Sequence, residues 1–198
     1  MGGLGAIGAT VLPVSPALGD LPGWGDLPAL GDLIDTGACN ASPLSQPFAP
    51  WGDLAFYELA PGGDFTSLAW TLNDGAQIVS GGAPYAATGA SGSSSLSLPA
   101  GGSAQSPSTC VDAAYPTIRF FIAGSGTVAV EILSGDVVIP AGIAIATGGW
   151  QPTPVIVTGS AVAGALSGGT AQISLQLVGI AGNPQVDDVF IDPWNRGP

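Results

Sequence analysis

Lysine and histidine are absent from this 198-residue chain, and two arginines face 14 acidic residues, a formal net charge of −12. Nucleic acid and anionic lipid are captured through Lys and Arg, so neither is expected as a partner. The usual activators of a Ser or Cys nucleophile are missing, as are the His ligands of the common zinc sites. Charge of either sign is scarce. Charged residues make up 8% of the chain against 46% apolar ones, which is not the composition of a disordered acidic chain. No run is long and apolar enough to span a membrane, since Val137–Thr147 is short and carries Pro140. Met1–Leu18 lacks a basic n-region and contains Pro13 and Pro16. It makes a poor signal peptide, and the expectation is that one has been removed upstream.

What the chain has in abundance is glycine (32) and proline (18). Both are costly inside helices, which leaves short strands joined by many turns. The two cysteines, Cys39 and Cys110, lie in no CxxC motif and are expected to form a disulfide. A loop of that length stabilises the fold by about 4 kcal/mol. A persisting disulfide implies an oxidising compartment, hence an extracellular or cell-surface location. Asn40-Ala41-Ser42 is a sequon, a tripeptide that also arises readily by chance.

Three regions separate along the chain. Residues 1–18 are apolar and Gly-rich; residues 19–38 repeat Gly-Asp-Leu as Gly19-Asp20-Leu21, Gly25-Asp26-Leu27 and Gly31-Asp32-Leu33. Residues 39–198 carry the strand signals: Leu54–Glu58, Ser67–Leu72, Gln77–Val79, Ser95–Leu98, Thr117–Ile122, Thr127–Leu133, Pro154–Thr158, Ala171–Val178 and Val186–Ile191. Such a set predicts an all-β sandwich. Gly124-Ser125-Gly126 reads as the turn of a hairpin, with Ile118, Phe120 and Ile122 facing Val128, Val130 and Ile132. Arg119 then falls opposite Glu131 as a cross-strand ion pair.

Phe56-Tyr57-Glu58, Trp70-Thr71-Leu72, Gly75 to Val79, Ser94 to Leu98 and the closing Val186 to Pro193 together resemble galactose-binding-like jelly rolls. This is the fold of many carbohydrate-binding modules, and the core is also similar to a recurrent secreted actinobacterial family. The resemblance runs from about Cys39 to the C-terminus. It implies a jelly-roll β-sandwich and a structural Ca2+ held by Glu58 with Asp187 or Asp188. Calcium takes six to eight oxygens, so carboxylates with backbone carbonyls would suit it. Independently, Gln172, Ser174 and Gln176 alternate with apolar neighbours and form one polar face, a candidate ligand face. Trp51, Trp70, Trp150 and Trp194 are aromatics available to stack on sugar rings.

Catalysis is not expected. The surviving option would be a carboxylate pair, and Glu58 and Glu131 are the only glutamates, each with a structural role already predicted. Residues 4–14 read as an apolar strand, with Ile7, Ala9 and Val11 on one face and Leu12 and Val14 on the other; Leu4 begins the run. An apolar terminus in water invites aggregation, so something should cover it. The sequence reading is an extracellular structural protein: a pilus-like filament subunit joined to copies of itself by donor-strand addition of that segment. The alternative is a secreted module that binds carbohydrate or cell wall.

Overall fold

The structure is a computed structural model that describes residues 43–112, 116–158 and 170–193. The arm residues Leu4, Ile7, Ala9, Val11, Leu12 and Val14 lie outside the described residues, as do the Gly-Asp-Leu repeats, Cys39, the sequon and Trp194. The strands are β1 Glu58–Leu59, β2 Thr71–Asn73, β3 Gln77–Ser80, β4 Ser94–Ser97, β5 Ser103–Gln105, β6 Thr109–Asp112, β7 Thr117–Ser134, β8 Val137–Pro152, β9 Ile156–Val157, β10 Thr170–Gly182 and β11 Gln185–Asp192. All pair antiparallel, in the order β2-β5-β10-β7-β11-β4-β3, with β1 on β11, β6 on β10, and β8 and β9 on β7. The all-β jelly-roll sandwich expected from the sequence is the fold observed. Among the described residues no helix is long and apolar enough to cross a membrane.

One strand organises the whole. β7 is 18 residues long and serves both layers of the sandwich. Its first half pairs with β11 and the end of β8. Its second half pairs with β10 and the rest of β8. Gly124-Ser125-Gly126 is therefore not a hairpin turn but the corner at which β7 passes from one layer to the other. The real turn is Gly135-Asp136, between Ser134 and Val137, where Gly135 takes a φ of 55°. At the corner β10 runs on into β11 through Asn183-Pro184, alongside β7. Backbones approach closely there. A Cβ on Gly126 would collide with the Ala181 carbonyl, and one on Gly182 with that of Ser125. Only glycine suits both positions.

The alternation along β7 buries Ile118, Phe120 and Ile122 in one layer against Val128, Val130 and Ile132 in the other. Leu96, Leu98, Leu175, Leu177, Val186, Val189 and Ile191 fill the space between. These side chains are almost wholly removed from water, each worth about 2 kcal/mol of transfer free energy. Arg119, at the odd position between two of them, points to the outer face instead. The hairpin register that placed it opposite Glu131 does not exist. Glu131 sits between Gln176 on β10 and Pro140 on β8.

Candidate functional site

The outer face of the β7–β11 layer is not bare. Phe121 and Phe190 project from it and are covered by Phe48, Tyr57 and Ala83, a second buried cluster built from residues flanking the sheet. Phe48 meets Tyr57 edge-on, with ring centroids 5.2 Å apart. Arg119 fixes this covering layer. Its Nη1 donates to Asp53 Oδ2 at 2.7 Å, while Nε and Nη2 both donate to the Thr153 carbonyl. The guanidinium lies 4.3 Å from the Phe48 ring centroid. Asp53 also accepts bonds from the Ala55 N–H and the Tyr57 hydroxyl. Burial alone would raise the Asp53 carboxyl. The bonds from Ala55, Tyr57 and Arg119 outweigh it and hold the group below its ordinary value. Burial, together with the Asp53 charge, raises the Tyr57 hydroxyl.

On this layer rides Trp51. It ends a single 3-10 turn, Ala49–Trp51, that carries proline in its first turn and closes on left-handed Gly52. The sequence Pro50-Trp51-Gly52-Asp53 thus sets the indole and its anchor in one stroke. The ring stands edge-on to Tyr85 at 4.8 Å and tilted against Phe121 at 5.4 Å, yet Trp51 remains 39% exposed. Two grooves meet at it. One, of about 540 Å³, runs past Gln151, Thr153 and Ile145; the other, of about 620 Å³, runs past Gln46, Pro50 and Tyr85. Tyr85 donates to the Trp150 carbonyl at 2.8 Å, which ties the 81–87 segment to the end of β8. An exposed indole edged by amides and a hydroxyl can stack on the apolar face of a sugar ring and bond its hydroxyls.

The other aromatics are differently placed. Trp70 is buried, donates to the Pro61 carbonyl at 2.9 Å and packs on Phe65; Trp150 is half-buried against the outer cluster. Gln172, Ser174 and Gln176 do share the outer face of the β7–β10 layer, half-buried, and Gln176 forms a row with Gln105, Thr71 and Glu131. That row is polar but has no aromatic member.

Glu58, Asp187 and Asp188, the acids expected to hold a calcium, are all buried. Glu58 is buried and accepts a bond from the Thr109 hydroxyl at 2.9 Å. Asp187 accepts from the Ala83 and Asp188 N–H groups. The charges that bear on Asp188 are those of Asp187 and Asp64. Among the described residues no three His, Cys, Asp or Glu side chains form a group able to hold a metal by themselves. Asp188 is nonetheless conspicuous. It sits in the bulge of β11 with a left-handed φ of 48°, fully buried, and neither carboxylate oxygen has a hydrogen-bond partner. Burial, then the charge of Asp187, pushes its carboxyl up to about 7; burial likewise pushes Asp187 up to about 6. An orphaned buried carboxylate suits a hard cation whose other oxygens come from backbone carbonyls, Asp64 or water.

Cys110 lies on β6 opposite Gln172, and no described cysteine is free. Ser45 bridges to Tyr57, whose neighbour Glu58 is bonded to Thr109. Sequence reasoning missed Asp53, Asp64 and Tyr85 as site residues. Only for Asp53 was there a signal, its place just after the Pro-Trp-Gly turn.

No protein-family model matches the chain, and no curated protein matches it in sequence. Among solved structures the chain is similar to the C-terminal CBM6 of the laminarinase LamC from Zobellia galactanivorans, at 14% identity and TM-score 0.46, covering 68% of this chain and 98% of that one. It is also similar to the CBM22-2 xylan-binding domain of Xyn10C from Paenibacillus barcinonensis, at 12% identity and TM-score 0.40, covering 68% and 98%. A third is TmCBM61, solved with β-1,4-galactotriose, at 16% identity and TM-score 0.38, covering 65% and 90%. At these scores the likenesses add nothing to what the strand pairing already shows.

Proposed function

We propose that this chain is an extracellular, non-catalytic glycan-binding module whose binding surface is centred on Trp51. The observation that carries this reading is the indole itself. It is held rigid by Tyr85 and Phe121, left 39% exposed, and set where two grooves meet. A rigid aromatic face loses little entropy on binding and is the natural platform for a pyranose ring. The test is a glycan array of plant, algal and bacterial polysaccharides, followed by calorimetry of Trp51→Ala on the best oligosaccharide. Loss of at least tenfold in affinity with an unchanged circular dichroism spectrum is expected, about 1.4 kcal/mol or more. Binding that survives Trp51→Ala but disappears in Gln172→Ala/Gln176→Ala would move the site to the β7–β10 face.

A structural Ca2+ belongs to the same reading, held by Asp188 with Asp64 and not by Glu58. Its contribution is to neutralise a buried carboxylate where the first strand's loop meets the last strand.

A further inference from the structure

Tyr85, which braces Trp51, belongs to no strand. It lies in residues 81–93, the connection between β3 and β4, which is neither helix nor strand and owes its shape to individual bonds. Some of these stay within the hairpin. The Gly81 N–H donates to the Ser93 carbonyl, the Gly92 N–H to that of Ala83, and the Ser95 hydroxyl to that of Gly81. Others reach beyond it: the Tyr85 hydroxyl donates to the Trp150 carbonyl, and the Ala83 N–H donates to Asp187 Oδ2 at 2.7 Å. Asp187 is fully buried on β11. The segment closes tightly around that carboxylate. A Cβ on Gly82 or on Gly92 would run into Asp187 Oδ2, although neither glycine has a left-handed φ. Room, not backbone conformation, excludes a side chain at both. The other carboxylate oxygen accepts the Asp188 N–H at 2.9 Å, so backbone donors engage both oxygens. Burying a carboxylate is costly, and charge-assisted bonds to backbone N–H groups are what offset it.

We propose that Asp187 is the positioning residue of the Trp51 surface, holding the 81–93 segment where Tyr85 can brace the indole. The path is short. Ala83 is wholly buried in the cluster that contains Phe121 and Phe190, and its N–H is the one that Asp187 holds. Only Pro84, whose ring fixes φ, separates Ala83 from Tyr85. The Tyr85 ring centroid lies 4.9 Å from that of Phe121 and 4.8 Å from that of Trp51. An aspartate suits this post because it accepts from two N–H groups, one on each oxygen. Asparagine has one acceptor oxygen, and its NH2 would face a backbone N–H on the other side. A loosened 81–93 segment would leave Trp51 resting on Phe121 without its second brace. The cost of ordering the indole would then fall on ligand binding. For its ligand this role rests on the glycan reading; the ring contact needs no ligand to be measured.

The experiment is two-dimensional nitrogen–proton NMR of the full chain, with calorimetry on the oligosaccharide selected for wild type. The Trp51 indole N–H signal is assigned by its absence from Trp51→Ala. Its displacement in Tyr85→Ala calibrates the loss of the bracing ring. Asp187→Asn removes one acceptor at nearly constant size. Gly92→Ala keeps the carboxylate and pushes the segment off it, so it reads the same contact should Asp187→Asn fail to fold. In both variants the Trp51 signal is expected to move toward its position in Tyr85→Ala. Affinity should fall about threefold to tenfold, the worth of one aromatic edge contact. Ile173→Val, a mild deletion in the core on β10, should change neither. A Trp51 signal that keeps its wild-type position in both variants overturns the proposal. So does wild-type affinity in both, or an equal response in Ile173→Val, which would reduce Asp187 to general stability. If no oligosaccharide binds the wild type, the glycan reading fails alone, and the Trp51 signal still decides the role of Asp187.

Discussion

Arg119 carries the one positive charge among the described residues, and two separate segments, the 48–53 turn and Thr153, converge on it. It joins Asp53 at 2.7 Å, the Thr153 carbonyl and the Phe48 ring. Removing one partner leaves a mostly buried charge poorly compensated, so Asp53→Asn should destabilise the chain by about 2 kcal/mol near neutral pH. The pH dependence has a definite sign. The folded-state pKa of Asp53 lies below its ordinary 3.8, so the unfolded chain binds the proton first as pH falls. The stability this carboxylate supplies is complete above the unfolded value and is lost as pH drops through the folded one. Urea midpoints of wild type and Asp53→Asn should therefore differ at pH 6 and converge toward pH 2.5. A constant gap would show that shape, not charge, is what matters. Asp188 yields a second expectation at this scale. Millimolar Ca2+ should raise the melting temperature by several degrees over EDTA, as a ligand at about a hundred times its Kd stabilises by about 2.7 kcal/mol. Asp188→Asn should abolish the increment and Glu58→Gln should not. No increment in wild type would remove the cation from the account.

At the scale of elements, the corner of β7 is where the fold is most exposed to a single change. Gly126→Val would drive a side chain into the Ala181 carbonyl at a φ of 147°, and a loss of more than 3 kcal/mol is expected. Gly149, on the neighbouring strand with nothing within 4 Å, is the control: Gly149→Ala should change the urea midpoint little. Equal effects at the two positions would mean that the corner tolerates an extra atom. The same corner shows how far the sequence could be read. Alternation correctly put Ile118, Phe120, Ile122, Val128, Val130 and Ile132 in the core, because side-chain direction depends only on local period. It could not tell a glycine corner from a hairpin turn, since both need left-handed backbone between β-branched runs. Strand β8 was missed altogether because Pro140 and its glycines break the strand signal, although a bulge at that point accommodates the proline. Asp53 escaped as the partner of Arg119 because 66 residues separate them, and no local pattern encodes a contact of that span. Trp51 is legible as an aromatic, but what makes it a platform is the pair of rings beneath it, contributed by Tyr85 and Phe121.

For the whole molecule, the decisive question is how residues 1–42 are tied to the sandwich. Ser45 bridges Tyr57, and the next residue, Glu58, accepts from the hydroxyl of Thr109, the residue before Cys110. The Cys39–Cys110 disulfide expected from the sequence would join that region to the preceding residues. Two consequences can be measured together. A non-reducing peptide map should recover Cys39 and Cys110 in one cross-linked peptide. Dithiothreitol should lower stability by up to about 4 kcal/mol through the larger freedom of the unfolded chain. Two alkylatable thiols in the native chain would eliminate the bond, and with it the stability difference expected on reduction.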